Sequence, residues 1–291
     1  MSVVPAQAMP GMPKAGVPAE EAGGAAPRPA DGVPAPLVAP APLAASARLL
    51  PALAAVYRAQ LSRARVARIP LLFVATFQSV GIMVLMRGVV DEGGGAARSV
   101  VAGSSVLVVA FVALNLLAQY FGQLRASGGL DHYATLPVPP AAVVLGAAAA
   151  YASFTVPGTA VTAVVGSALF QLPMGHLWVL AAVVPLSGAA LAGLGAALGL
   201  LAPRQELATL CGQLGMSAAL LLGVLPADRM PEVVSYARDL LPSTYGVEAL
   251  ARSFDGQPDW LAVCADLGVC AGVAVVSLAA ATWAYRRAAV R

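Results

Sequence analysis

The chain has 291 residues, of which 59% are hydrophobic and 11% are charged, and its mean hydropathy is +0.80. A soluble protein carries roughly 25% charged residues, so the excess apolar surface of this chain must face lipid, which excludes an ordinary soluble fold. The net charge of +3 is too small to indicate nucleic-acid binding.

The N-terminal part divides into two segments. Residues 1–50 are rich in proline, alanine and glycine and lack a periodic apolar pattern, which predicts a disordered tail. In residues 51–68 apolar side chains recur at helical spacing among several arginines, which predicts an amphipathic entry helix lying on the membrane surface. A plain basic flank of the first membrane span is the alternative.

The rest of the chain is dominated by apolar segments of the length that crosses a bilayer, about 20 residues each. Residues 133–203 contain no Asp, Glu, Lys or Arg and are too long for one span, so the polar QLPMGH turn at 171–176 must divide them. Pro157 and Pro185 should kink the two resulting helices. The sequence predicts an all-α membrane protein with six transmembrane helices at about 69–86, 99–124, 141–170, 177–201, 207–225 and 260–283.

The basic residues indicate the orientation, because cytoplasmic loops are enriched in Lys and Arg. If the N-terminus is cytoplasmic, the same side receives the basic N-terminal segment, Arg125, Arg204 and the basic end at 286–291. The opposite side receives fewer: Arg87, Arg98, Arg229, Arg238 and Arg252. We therefore expect both termini in the cytoplasm and the chain in the plasma membrane.

Small residues predict close helix packing. Gly195 with Gly199, and Gly268 with Gly272, have GxxxG spacing, which allows two helix backbones to approach closely. Cys211, Gly215, Ala219 and Gly223 form a similar stripe in the fifth span. The three cysteines lack metal-ligand spacing, so we expect them to be packing residues and expect no metal site.

Amide side chains are the first candidate functional residues. Asn115, Gln119 and Gln123 lie at i, i+4 and i+8 and so share one face of the second span, and Gln78 in the first span is a candidate for the same face. An amide in hydrocarbon needs a polar partner. These residues either bond to neighbouring helices or line a translocation path, and both interpretations stay open.

Asp266 and the segment before the last span are the second candidate region. Asp266 lies about two turns into that span, where it either pairs with Arg229, Arg238 or Arg252 or handles a substrate or proton. Residues 226–256 carry an apolar stripe and two well-placed prolines, which predicts short helices lying in, or dipping into, the outer interface. Glu248 and Arg252 form a favourable i, i+4 pair.

Two motifs carry a family resemblance. The loop GLDHYATLP at 129–137 follows the second span, and LPSTYGVEAL at 241–250 precedes the last. With six spans, internal termini and an entry helix, these motifs resemble those of ABC-2 type permeases, the membrane subunits of ATP-binding-cassette exporters for drugs, lipids and polysaccharides. The resemblance covers roughly residues 51–285, although Arg125 and Ser127 stand where the family often has an acidic residue. Its most specific part is the outer interfacial segment with Pro242, Thr244, Tyr245 and Glu248.

The resemblance implies a transport subunit rather than an enzyme. The 291 residues contain no GxxxxGK[ST] phosphate loop, so we expect this chain to bind no cofactor, and ATP and Mg²⁺ to bind to a separate ABC ATPase. The other expected partners are the lipid bilayer and a second permease, in a homodimer or heterodimer. Contact with the ATPase is predicted in a short helix, where Leu130, Tyr133 and Leu136 would dock into the partner; this coupling loop comprises Gly129, Leu130, Asp131, Tyr133, Leu136 and Pro137.

Two other functions stay open. One is a proton-coupled secondary transporter that uses Asp266 or Glu206. The other is a non-transporting membrane anchor or regulatory subunit.

Overall fold

The computed structural model describes residues 48–63, 68–224 and 241–289, and all regular structure in these ranges is helical. The predicted tail before residue 48, and residues 225–240 with Arg229 and Arg238, lie outside the described residues. A π-helical segment, Ala110–Leu116, continues the helix that begins at Gly95, and a 3-10 turn, Leu177–Val179, precedes the helix that begins at Leu180. The helices are α1 (Leu49–Arg63), α2 (Arg68–Met86), α3 (Gly95–Val109), α4 (Leu117–Ala126), α5 (Gly129–Ala134), α6 (Pro140–Leu169), α7 (Leu180–Leu201), α8 (Gln205–Val224), α9 (Pro242–Ser253) and α10 (Trp260–Ala289).

Four helical stretches of the described residues are long and apolar enough to cross a membrane. They are Gly95–Ala126, Pro140–Leu169, Leu177–Leu201 and Trp260–Ala288. The predicted first and fifth spans correspond to α2, which has a shorter apolar stretch, and to α8; neither is among these four. The all-α architecture is confirmed, and the helices begin and end within a few residues of the predicted limits.

Tryptophans mark the two ends of α10. Trp260 and Trp283 are both exposed, and a helix rises about 35 Å between them. The guanidinium of Arg287 lies 5.4 Å from the Trp283 ring centroid. Exposed tryptophans with this separation fit the two borders of a bilayer, whose hydrocarbon core is about 30 Å thick.

The bundle has two ends, each tied together by contacts between turns. We call the end with the 127–139 and 202–204 turns the loop end; there Arg125 donates to the carbonyls of Leu200 at 2.7 Å and Ala202 at 2.8 Å. We call the end with the 87–94, 170–176 and 254–259 turns the far end. There Gln171 donates to the Glu92 carboxylate at 3.0 Å.

Helix α7 packs against α4 and α10 through glycine. A β-carbon at Gly195 or Gly199 would collide with the carbonyl oxygen of Leu114 or Ala118, respectively, so the predicted close packing at this GxxxG pair is confirmed. At Gly268 and Gly272 no atom of another described helix lies within 4 Å of such a β-carbon. The prediction of close packing at this second pair is wrong within the chain, because that face of α10 points outward.

The entry helix lies against protein. The buried residues of α1 are Ala52, Val56 and Gln60, and a β-carbon at Gly146 of α6 would come within 2.9 Å of Val56. The apolar stripe of α1 therefore packs on α6, and its position at the membrane surface stays a prediction. Packing on α6 explains the helical spacing equally well, because either environment selects one apolar stripe.

Helix α9 is buried within the bundle. It packs against α3, α7, α8 and α10, and the Cys270 thiol donates to the Pro242 carbonyl at 3.7 Å. Cys270 lies ten residues after Trp260, roughly 15 Å along α10. Helix α9 thus begins well inside the bundle and ends at the far end, so its apolar stripe is covered by protein.

Candidate functional site

The amides of the second span lie together as the spacing predicted. Asn115 is 2% exposed, and its Oδ1 accepts a hydrogen bond of 3.0 Å from Nε2 of Gln119. Gln119 is half-buried and Gln123 is exposed. The face therefore runs from the interior of the bundle to its surface at the loop end.

A pocket of about 340 Å³ opens beside this face. Of the predicted path residues, Gln119 and Gln123 line it, while Asn115 lies behind Gln119 and Gln78 of α2 is not part of the lining. The lining is Gln60, Arg63, Leu71, Leu72, Val112, Leu116, Gln119, Tyr120, Gln123, Tyr151, Phe154 and Gln205. The pocket is thus walled by α1, α2, α6, α8 and the long helix that contains the amides.

Five of the seven polar lining residues that the structure describes were not predicted from the sequence: Gln60, Arg63, Tyr120, Tyr151 and Gln205. Gln60 of α1 donates to the Tyr120 hydroxyl at 2.6 Å, and the Tyr120 and Tyr151 ring centroids lie 5.9 Å apart. Gln60 and Arg63 are three residues apart and so share a helical face. That spacing was a usable signal, but only the packing of α1 on the bundle shows that this face turns toward Tyr120.

The π-helical segment Ala110–Leu116 adjoins the pocket. Val112 and Leu116 line the pocket floor, and Asn115 falls in the same segment. A β-carbon at Gly212 of α8 would lie 2.9 Å from Oδ1 of Asn115, so α8 approaches closely here through glycine. Such bulges often occur at functional sites, and neither periodicity nor composition signals this one.

The predicted coupling loop forms a helix, but its apolar face is turned inward. Helix α5 begins after Gly128, whose φ of +70° is left-handed. Leu130 is 4% exposed and belongs to the cluster that contains Phe121 and Tyr285, and Tyr133 packs against that cluster. The expectation that Leu130 and Tyr133 dock into a partner is corrected, because they already contact the protein's own core.

The outward surface of this loop is formed by other residues. Gly129 is half-buried, and a β-carbon there would lie 2.6 Å from Cδ1 of Leu124, so α5 fits closely on α4. The exposed residues are Asp131, His132, Thr135, Leu136 and Pro137. Leu136 and Pro137 are therefore the predicted coupling residues that offer an exposed apolar surface.

Charged residues at the far end pair with one another. Arg252 binds the Asp266 carboxylate at 2.5 Å and lies 3.5 Å from Glu248, which confirms the ion-pair interpretation of Asp266. Pro242 and Thr244 are buried, and Tyr245 and Glu248 are half-buried. Ser243 is only 2% exposed, so this segment packs inside the bundle, and its position on the outer side of the membrane stays a prediction.

Bundle-spanning apolar helices with bordering tryptophans define a multi-pass membrane protein. The family profile described as ABC-2 family transporter protein matches residues 41–283, so the chain belongs to the ABC-2 transporter family. A comparison with curated proteins gives no match. Family membership makes the chain a membrane transport component, the permease subunit of an ABC transporter, whose ATP is hydrolysed by an ABC ATPase partner.

Proposed function

We propose that this permease exports an amphiphilic drug, lipid or glycan across the plasma membrane, driven by a separate ATPase that binds at the loop end. In this proposal the six predicted spans cross the membrane, both termini are cytoplasmic, and α9 is a re-entrant helix from the outer side. Two permease chains, identical or homologous, would form the complete pore. The observation that carries the proposal is the polar-lined pocket, which opens at the same end as the exposed surface of the 127–139 loop.

The charge distribution supports a cytoplasmic loop end. Arg58, Arg63, Arg204, Arg286 and Arg287 are exposed, and among the described residues none of them forms an ion pair. An excess of arginine favours the cytoplasmic side of a membrane. A substrate that enters the pocket from this side would leave toward the far end, which is the direction of export.

The proton-coupled alternative gains no support from Asp266 or Glu206. Asp266 has Arg252 as its partner. Glu206 is exposed in the first turn of α8, where a carboxylate is favoured by the helix dipole.

The proposal is tested by ATPase association. Leu136, 41% exposed at the loop end, and Met174, 45% exposed at the far end, are matched apolar surface residues. With tagged full-length permease, we expect an ATPase that carries a GxxxxGK[ST] loop to copurify. Leu136→Asp should reduce its affinity by about tenfold or more, because it would bury an unpaired charge in an apolar contact, and Met174→Asp should leave it unchanged.

Leu130 is unsuitable for this test, because an aspartate there would be buried in the core and would disrupt folding. Membrane insertion and elution volume of Leu136→Asp must match wild type. Equal ATPase binding by Leu136→Asp and wild type would remove the loop as the coupling contact. The absence of any copurifying ATPase would contradict the proposed function itself.

A further inference from the structure

The pocket at the loop end has an apolar floor and a polar rim. Val112 and Leu116 lie deepest along the amide-bearing helix, and Leu71, Leu72 and Phe154 complete the apolar side. Gln123, Gln205 and Arg63 lie at the rim and are exposed. From Val112 to Gln123 the helix rises roughly 15 Å. This length accommodates a long apolar group followed by a polar headgroup along the pocket wall that this helix forms.

The rim carries the positive charge of Arg63. Among the lining residues whose side chains the structure describes, Arg63 is the only charged one, and within residues 48–63, 68–224 and 241–289 no carboxylate forms an ion pair with it. The other polar lining groups are amides and tyrosine hydroxyls, of which Gln60 and Tyr120 bond to each other. A guanidinium presents a planar donor array that matches a phosphate or carboxylate.

We infer that this pocket binds an amphiphile with an acidic headgroup. The acyl or other apolar part lies against Leu71, Leu72, Leu116 and Phe154, and the phosphate or carboxylate lies at Arg63, within reach of the rim amides. A neutral glycan would leave the apolar floor uncovered, and a neutral lipid would leave the arginine unpaired. An acidic amphiphile is thus the substrate class of the exporter proposed above. This assignment rests on the proposed function only for the direction in which the ligand moves.

The test uses two ligands that differ only by the presence of a headgroup phosphate. Lysophosphatidic acid and the monoacylglycerol with the same chain are measured by equilibrium binding to the full-length permease in neutral detergent. Arg63→Gln is compared with Arg58→Gln, because Arg58 is exposed on the same helix but does not line the pocket. Phe154→Ala tests the apolar floor.

Wild-type protein should bind the acidic ligand at least about tenfold more tightly than the neutral one, as a charge-assisted hydrogen bond predicts. Arg63→Gln should abolish most of this preference, Arg58→Gln should keep it, and Phe154→Ala should weaken both ligands alike. Equal affinity for the two ligands would overturn the inference. So would an equal loss in Arg58→Gln and Arg63→Gln, since that would indicate general attraction to surface charge.

A second measurement identifies the source of the ligand. In proteoliposomes with the copurified ATPase, movement of labelled lysophosphatidic acid to the opposite leaflet on addition of ATP identifies it as cargo. Binding without movement identifies the site as one for a resident acidic lipid, and both results support the inferred chemistry. Failure to recruit an ATPase would contradict the proposed function and leave the binding measurements valid.

Discussion

The two ends of the bundle differ in whether their arginines form ion pairs. At the far end the arginines of the described residues are paired: Arg87 with Glu92, Arg98 with Asp255, and Arg252 with Asp266 and Glu248. At the loop end the exposed arginines form no ion pair with the residues that the structure describes. The far end is therefore closed by the protein's own contacts, whereas the loop end is left to bind something else.

The aromatic residues follow the same division. At the far end Trp260 stacks on Trp178 with 5.4 Å between ring centroids, and His176 lies at the same distance. At the loop end Tyr120 and Tyr151 face the pocket. If the substrate enters this pocket from the loop end, as the proposed function requires, α9 would have to move for release at the far end.

The largest expected effect concerns the packing that supports the loop end. Gly195→Ala with Gly199→Ala should reduce the free energy of unfolding by about 1 to 3 kcal/mol per site, because each methyl group would collide with backbone of the helix opposite. Denaturant unfolding in detergent micelles measures this change.

Gly268→Ala with Gly272→Ala is the matched control. No other helix of the described residues comes within 4 Å of these added methyl groups, so stability should be unchanged or higher by about 0.5 to 1 kcal/mol per site, through reduced backbone entropy of the unfolded chain. Similar losses in the two double variants would show that the close contact at α7 is not what stabilises the loop end.

The next effect concerns the ion pairs that close the far end. Arg252→Ala leaves the Asp266 carboxylate buried without its partner and should reduce stability by about 2 kcal/mol, between the values for exposed and buried pairs because Arg252 is partly solvated. Arg87→Ala removes a pair whose two side chains are exposed and should cost less than about 1 kcal/mol. Thermal unfolding measures the loss of stability in both variants. A larger loss in Arg87→Ala than in Arg252→Ala would show that the Arg252–Asp266 pair is not the stronger of the two.

Sequence reasoning succeeded where one strong physical requirement acts locally. Helix limits followed from the apolar runs, because a bilayer sets both their length and their composition. The partner of Asp266 was foreseen as one of three arginines, since a carboxylate near the membrane must find a cation. The amide face was foreseen because side-chain spacing within one helix fixes it.

The failures involve contacts between distant segments. Leu130, Tyr133 and Leu136 share a spacing that signals an apolar face, but spacing cannot tell whether that face covers the protein's own core or a partner. Gly268 and Gly272 have the same motif as Gly195 and Gly199, yet only the latter face another helix. The contribution of Gln60 to the pocket depends on how α1 packs, which no local pattern encodes.

A smaller effect is expected at the pocket itself. Gln119→Leu removes the hydrogen bond to Asn115 and replaces a polar lining group, so it should change substrate-stimulated ATP hydrolysis about fivefold, the equivalent of one neutral hydrogen bond. Gln78→Leu is the control, because Gln78 is a half-buried amide outside the pocket. Insertion should be normal in both. Equal activity of the two variants would show that the amide face serves helix packing alone.

The last prediction leaves stability unchanged and asks which side of the membrane the far end faces. Gln257 is exposed in the 254–259 turn, whereas Ser243 is buried in α9. In a background with Cys211 and Cys264 replaced by alanine, since both are exposed, Gln257→Cys should react with an impermeant thiol reagent on intact cells. Ser243→Cys should not react, because the reagent cannot reach it while α9 stays packed against α7 and α10. Labelling of Gln257→Cys only in inverted vesicles would reverse the orientation. If α9 is the element that opens during export, labelling of Ser243→Cys should rise when the ATPase is trapped in its ATP-bound state, and an unchanged rate would show that release follows another route.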